Sequence, residues 1–310
     1  MKVSVIVPVY NGEQNIERTL KSIFDNSYNN KEIIVVNDGS EDETLMKLKK
    51  FREINLIDKK QNSGIARAVK SGIDIAKGDI IIKVDADSVI SRDWISRVVK
   101  HFMDNNVVAV GGRYEPINTG FLVDAIFTVD DFFLHFLKRK VSQGKISGPA
   151  WAARKKVIKN LDFWDTCKTD EIHLSFRLNK YGKIIYDPDL IVRGEFPSSL
   201  SEIWRRKFKW GENSILDEYY KNIRFWIRPL YFFILVLVVF LLFVNLPGIS
   251  LNILNLEWKL YFVSFLVFPF FILMFYSLVK KPKTFILSPI LAYFQEIAWI
   301  SGCMYRRLRR

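Results

Sequence analysis

The chain has 310 residues, 49% of them apolar and 25% charged, with a formal net charge of +13. The averages hide a split: residues 1–228 carry 38 Lys+Arg against 31 Asp+Glu, whereas residues 229–310 carry 8 basic and 2 acidic residues among long apolar runs. That split excludes a purely soluble enzyme and a disordered chain, and two cysteines (Cys167, Cys303) with no Cys/His cluster exclude a disulfide scaffold or a zinc site.

The opening segment, MKVSVIVPVY, has too short an apolar run for a signal peptide, so the N-terminal part is expected in the cytoplasm. Short β-branched runs follow one another at Lys2–Val7, Ile33–Val36, Ile54–Asp58, Asp79–Val84 and Val107–Val110. Between them the period lengthens to that of helices, over Ile16–Phe24, Thr44–Phe51, Ile65–Ala76 and Trp94–Phe102. Ser40 followed by Glu43 is a capping-box signal for the second of these helices. Near-continuous apolar strands separated by amphipathic helices predict an α/β fold, a mostly parallel sheet with helices on both faces. Such sheets bind ligands at the carboxyl ends of their strands.

Those ends are polar. The first strand runs into Pro8-Val9-Tyr10-Asn11-Gly12, the second into Asn37-Asp38-Gly39-Ser40, and the fourth into Asp85-Ala86-Asp87-Ser88. Each alone is ordinary turn chemistry; together they bring amides and carboxylates to one rim. Asp85 and Asp87 can both approach one hard cation, through waters and phosphate oxygens. No glycine-rich phosphate loop of the usual kinds is present. A divalent cation, Mg2+ or Mn2+, is then the means of neutralising a diphosphate, which points to a nucleotide-diphosphate substrate.

Further along, Phe121–Leu137 is rich in Phe and carries Asp130 and Asp131, and Lys138, Arg139 and Lys140 follow it. A helix on the membrane surface and a core helix fit this segment equally. Arg205, Arg206, Lys207 and Lys209 form a basic cluster in which Arg206, Lys209 and Trp210 share one helical face. That face is expected to line the site, holding diphosphate or stacking a sugar on Trp210, with Arg205 and Lys207 turned to lipid headgroups; Trp210 as an ordinary core residue is the alternative. Leu230–Val244 is unbroken apolar sequence that stays low in charge to Ile249, and Leu260–Val279 has no charge. Both predict membrane spans, at about 230–249 and 260–279. Arg224, Arg228, Lys280, Lys281 and Lys283 put both outer flanks on the cytoplasmic side. A third apolar stretch, about 285–305, has Gln295 and Glu296 at its middle and an arginine tail, and reads as an in-plane or re-entrant helix rather than a third span. The expected organisation is a cytoplasmic domain over 1–228 and a membrane domain over 229–310 of a multi-pass plasma-membrane protein. No nucleic-acid-binding motif is present, and a membrane partner accounts for the basic balance better.

Taken together, VSVIVPVYN, IIVVNDGSED, NSGIARAVKSGIDIAKGDIIIKVDADS and TDEIHLSFRL resemble the family 2 glycosyltransferases over about residues 1–213. The resemblance implies a GT-A fold, a nucleotide-sugar donor (UDP- or GDP-linked), a divalent cation and inversion at the anomeric carbon. It puts Pro8, Tyr10, Asn11 and Asp38 at the nucleoside, Asp85 near ribose and diphosphate, and Asp87 on the metal. Downstream the chain is similar to the cellulose, chitin and hyaluronan synthase branch. Gly148 to Arg154 (GPAWAAR) matches the segment before that branch's acceptor site. Thr169-Asp170-Glu171 stands where the branch has Thr-Glu-Asp, and Arg206-Lys207-Phe208-Lys209-Trp210 where it has Gln-x-x-Arg-Trp. The base position thus falls on Glu171, with Asp170 as the alternative. An inverting transfer needs one carboxylate to take the acceptor hydroxyl proton, although acids that open a helix also simply complement its dipole. Three readings follow: transfer to a lipid-linked acceptor, processive polysaccharide synthesis, and a non-catalytic membrane-anchored nucleotide-binding protein. Two or three membrane helices are few for a polymer channel in one chain, which favours the lipid-linked acceptor unless a homo-oligomer supplies more.

Overall fold

The computed structural model describes residues 1–138, 146, 148–159, 161, 164, 171–214 and 287–308. The chain divides into two compact units, Met1–Asn118 with Leu137–Phe196, and Thr119–Phe136 with Pro197–Arg310. The boundary expected at residue 228 lies outside the described residues.

In the first unit the described strands form one eight-stranded sheet. They are β1 (Val3–Val9), β2 (Lys31–Asp38), β3 (Ile54–Lys59), β4 (Ile80–Val84), β5 (Ser88–Ile90), β6 (Val107–Pro116), β7 (Ala150–Arg154) and β8 (Lys183–Gly194). Their order is β3-β2-β1-β4-β7-β6-β8-β5. Alternation along each strand sorts the core into two layers. Val3, Val5 and Val7 of β1 pack with Ile16, Leu20 and Ile23 of α1 (Ile16–Phe24), Leu48 of α2 (Thr44–Leu48) and Trp94 of α4 (Trp94–His101). On the other face Ile6, Ile34 and Ile81 pack with Val69 and Ile73 of α3 (Ile65–Ile75), Ile158 of α6 (Lys155–Ile158) and Leu174 of α7 (Glu171–Leu178).

The sheet is mixed: β1, β2, β3, β4, β6 and β8 run in one direction, as a mostly parallel sheet requires, and β5 and β7 run against them. β1 pairs in parallel with β2 and β4, and β2 with β3, as the alternating pattern requires. β7 then runs antiparallel to both β4 and β6, and β5 antiparallel to β8. Two expectations need correction. α2 ends at Leu48, not Phe51, and the Ser40–Glu43 capping box is not made. The Ser40 hydroxyl instead accepts the Asn11 amide at 3.0 Å, and Asp42 takes the Thr44 amide at 3.0 Å.

Chain connectivity forces this sheet to curl. From Val84 to Ser88 the chain spans at most about 14 Å, yet β4 and β5 lie four strand spacings apart, about 19 Å if the sheet were flat. The β6–β8 ladder shifts register between Gly112 and Arg113, and such irregularities sharpen the local twist. β5 pairs with β8 at Val192 to Gly194, beyond the shift. The segment Asp85–Asp87 is therefore a short strap closing a curled sheet.

The second unit contains α5 (Phe121–Lys138), α8 (Leu200–Ser214) and α9 (Leu287–Leu308). Val123, Ala125, Ile126 and Val129 of α5 are buried, as in the core alternative for that segment, while Phe121 is exposed. α8 and α9 meet through Trp204 on Phe294 and Phe208 on Tyr305, with ring centroids 5.5 Å apart in both pairs. They touch so closely at Gly302 that a Cβ there would lie 2.0 Å from the Phe208 carbonyl oxygen. Among the described residues no helix is long and apolar enough to cross a membrane. The expected spans at 230–249 and 260–279 lie outside the described residues, and α9 occupies most of the third apolar stretch.

Candidate active site

The strand order fixes where a ligand can enter. From β1 the chain moves outward through β2 and β3, then returns to the opposite side of β1 as β4. A crevice therefore opens at the carboxyl ends of β1 and β4, the topological switch point of the parallel half. Pro8 lies beyond Ile6, the last residue of β1 paired with β4, so its missing N–H leaves no gap in that ladder.

Two loops clasp one wall of the crevice. Asn11, at a left-handed φ of 50° that Asn tolerates, accepts the Glu41 amide on its side chain at 2.9 Å. The Gly12 amide donates to the Thr44 hydroxyl at 2.8 Å, the Glu13 amide to Asp42 at 3.1 Å, and the Glu43 amide to Glu13 at 3.0 Å. Tyr10 is left 45% exposed beside them, available to a flat ligand. Burial alone would raise the Asp42 carboxyl, but hydrogen bonds from the Thr44 hydroxyl and amide and the Glu13 amide outweigh it and hold Asp42 below the usual carboxylate range. A lowered folded-state value means that Asp42 stabilises the clasp at neutral pH and loses that contribution as pH falls through its folded pKa. The Asp42→Asn variant should therefore show a smaller drop in melting temperature between neutral and acid pH than the parent, measured by thermal unfolding across a pH series.

Asp38 is 3% exposed, and its carboxylate is occupied from within. It accepts the Ser63 amide at 3.0 Å, the Ser63 hydroxyl at 2.6 Å and the Gly64 amide at 2.8 Å, with Lys59 at 3.3 Å. Asp38 thus shapes the loop leading into α3, and Ser63 and Gly64 join the rim residues; the Asn-Ser-Gly punctuation before a helix was their signal in the sequence.

At the strap, the Asp85 amide donates to the Pro149 carbonyl at 2.8 Å, which brings Gly148 to the same end of the sheet. The Thr19 hydroxyl donates to the Ala86 carbonyl at 2.8 Å, and the Ser88 hydroxyl to Asp87 Oδ1 at 3.0 Å. Lys83, absent from the sequence-based site, is fully buried with its Nζ 2.7 Å from Asp85 Oδ1. A single charge inside the run DIIIKV was its signal.

The remaining expected residues fall elsewhere. Arg154 pairs with Ile80, the first residue of β4, so it stands at the opposite end of that strand from Asp85. Its guanidinium donates to the Val107, Phe102 and Asp104 carbonyls, and it borders a cleft of about 500 Å³ with Lys77, Lys155, Lys156 and Lys159. The antiparallel direction of β7 takes it there. Glu171 opens α7, and Asp170 lies outside the described residues. Arg206, Lys209 and Trp210 belong to α8 in the second unit. Trp210 is 50% exposed, so it is not a core residue, and Lys207 sits over its ring at 4.9 Å while pairing with Asp130 at 3.6 Å. Lys207 is thereby engaged within its own unit.

The family model described as Glycosyl transferase family 2 matches residues 4–162, half of the chain. The chain belongs to this family. The glycosyltransferase is 27% identical over 256 residues to the poly-beta-1,6-N-acetyl-D-glucosamine synthase of Staphylococcus aureus (strain COL), covering 78% of this chain and 62% of the synthase. Its match to the synthase of the same name from Staphylococcus epidermidis is 26% identical over 301 residues, 90% of this chain and 73% of the synthase. The aligned region thus spans under two thirds of the S. aureus relative. Among solved structures, the mannosyltransferase PcManGT from Pyrobaculum calidifontis, in complex with GDP-Man and Mn2+, superposes with a TM-score of 0.62 at 18% identity, covering 100% of this chain and 88% of that one. The glycosyltransferase has a fold of the GT-A type, with a mixed α/β sheet.

GT-A enzymes typically use a divalent cation, and the carboxylate strap suits one of limited appetite for protein ligands. Among the described residues no three His, Cys, Asp or Glu side chains cluster as a metal cage. Mg2+ is commonly held by one or two carboxylates plus waters and substrate phosphates, and a strap that offers Asp87, alone or with Asp85, fits that donor set.

Proposed function

We propose that this glycosyltransferase carries out an inverting, metal-dependent transfer of a sugar from a nucleotide-diphosphate donor to a membrane-borne, lipid-linked acceptor. The observation that carries the donor half is the strap Asp85–Asp87 at the switch-point crevice, facing the clasped Tyr10–Asn11 loop. In this reading Tyr10, Asn11 and the loop held by Asp38 receive the nucleoside, and Asp85 lies near the ribose and diphosphate. Asp87 would hold Mg2+ or Mn2+, which supplies charge neutralisation to the departing diphosphate. Gly148 borders the acceptor side, and Arg206, Lys209 and Trp210 of α8 contribute to diphosphate and acceptor binding. Arg154 has a structural part: its hydrogen bonds hold the turn between α4 and β6.

Glu171 takes the acceptor proton. It is the first residue of α7, next to Asp170 in the sequence. Glu171→Gln should lower transfer by about a hundredfold or more with donor affinity retained, the usual loss for a general base. If Asp170→Asn shows that loss and Glu171→Gln does not, the roles are exchanged; if neither does, the assignment fails.

The apolar segments at 230–249 and 260–279 support a membrane location with the sugar-transfer domain on the cytoplasmic face. A second reading, extension of a polysaccharide, is supported by the names of the staphylococcal relatives. The deciding experiment incubates purified protein with a panel of labelled UDP- and GDP-sugars, Mg2+ or Mn2+, and membrane lipids, reading nucleoside diphosphate release and product size. One sugar on an extractable lipid supports the first reading and a long polymer the second. Absence of transfer and of release with every donor would overturn both.

A further inference from the structure

Lys83 is a cation in a place built for a hydrocarbon. It lies on β4 on the same face as Ile81, and its cross-strand partners are Ile6 of β1 and Trp151 of β7, both fully buried. Its own side chain is 0% exposed, so it cannot touch a donor, a cation or an acceptor itself. Residues two apart on a strand point to the same face, and Asp85, the first residue past β4, brings Oδ1 to 2.7 Å from the Lys83 ammonium. The Asp85 backbone is held as well, its amide on the Pro149 carbonyl and its carbonyl accepting the Ser88 amide at 3.1 Å. The carboxylate that opens the strap is therefore fixed in position and carries a compensating positive charge. Asp87 differs: its partner is the neutral Ser88 hydroxyl, so its full negative charge stays at the crevice.

We propose that Lys83 is a positioning residue that withholds Asp85 from the cation, so that the metal is held by Asp87 and the donor diphosphate. This deepens the metal-dependent donor reading and rests on it. A divalent ion bound by two free carboxylates would bind tightly without substrate and hinder diphosphate departure. Neutralising one carboxylate from below keeps the cation weakly held until the diphosphate brings its own oxygens. The ammonium and the metal compete for the same carboxylate, and the buried position of Lys83 gives it permanent precedence.

The test uses the full chain and Mn2+ titrations followed by electron paramagnetic resonance, with and without UDP or GDP. In Lys83→Met, which keeps length and apolar volume, the freed Asp85 charge should tighten Mn2+ binding without nucleotide by about tenfold or more. The pair Lys83→Met/Asp85→Asn removes both charges of the 2.7 Å ion pair together and keeps the proposal testable if the single variant does not fold. It should bind Mn2+ without nucleotide within about twofold of the parent, since Asp85 gives the metal nothing to lose. Unchanged Mn2+ affinity in folded Lys83→Met, or a loss of about tenfold in the double variant, would overturn the proposal while leaving the donor site intact. If the parent protein binds no Mn2+ with either nucleotide, the donor reading itself fails and the proposal with it.

Discussion

Asp87→Ala is expected to lower sugar transfer by about a thousandfold with little change in thermal stability. The size follows from what the carboxylate does: removing a preorganised group that stabilises developing transition-state charge costs about a hundred- to a thousandfold, and here the cation goes with it. The selectivity follows from its surroundings. Asp87 is half-buried, its hydrogen-bond partner Ser88 is held by the β5–β8 ladder, and the strap keeps its Thr19 contact through Ala86. Comparing turnover of a nucleotide sugar with the melting temperature of the same sample checks both halves. Full activity in Asp87→Ala would remove the metal argument.

Asp85→Ala should behave differently, losing about 3–5 kcal/mol of stability. It removes the carboxylate 2.7 Å from the Lys83 ammonium, 0% exposed and flanked in register by Ile6 and Trp151, and breaking a buried ion pair from one side is among the most damaging of single changes. The inverse change is milder, because Asp85 is 28% exposed and can be hydrated when Lys83 is replaced. Asp85→Ala in a Lys83→Met background should recover most of the stability lost by Asp85→Ala alone, as read by denaturant unfolding. An inactive Asp85→Ala enzyme therefore says nothing about chemistry until its folding has been measured.

The parallel half of the sheet was legible in the sequence because both its faces are covered. Strands such as Ile33–Val36 and Ile80–Ile82 are apolar without interruption, Val3–Val9 is broken only by Ser4, and the helices between them show one buried stripe each. In the other half only β6 was, as Val107–Val110. β5 is three residues long, β7 is the alanine-rich AWAAR, and β8 is broken by Asp187-Pro188-Asp189, so none carries a strand-like pattern. Missing β7 had a consequence for the site, since its direction decides that Gly148 reaches the strap and Arg154 the opposite end. The rim residues Tyr10, Asn11, Asp85 and Asp87 were readable as strand ends. Asp38 was readable too; Ser63 and Gly64 carried a helix-start signal, but their pairing with Asp38, a hydrogen bond to a loop two elements later, leaves no periodic trace. Ser40 was misread for the same reason: its hydroxyl serves Asn11 of the neighbouring loop instead of the helix beside it.

The strap also orders events in time. β1 to β4 all lie within Met1–Val84 and can pair while the rest of the chain is still being made. β5, immediately after the strap, has no partner until β8 arrives from far downstream, and contacts of such long sequence separation are slow to form. During that interval Lys83 must wait with its counter-charge on a segment anchored at one end only. The two carboxylates reach their final places when the curled sheet closes, so synthesis yields a sheet first and a competent crevice last.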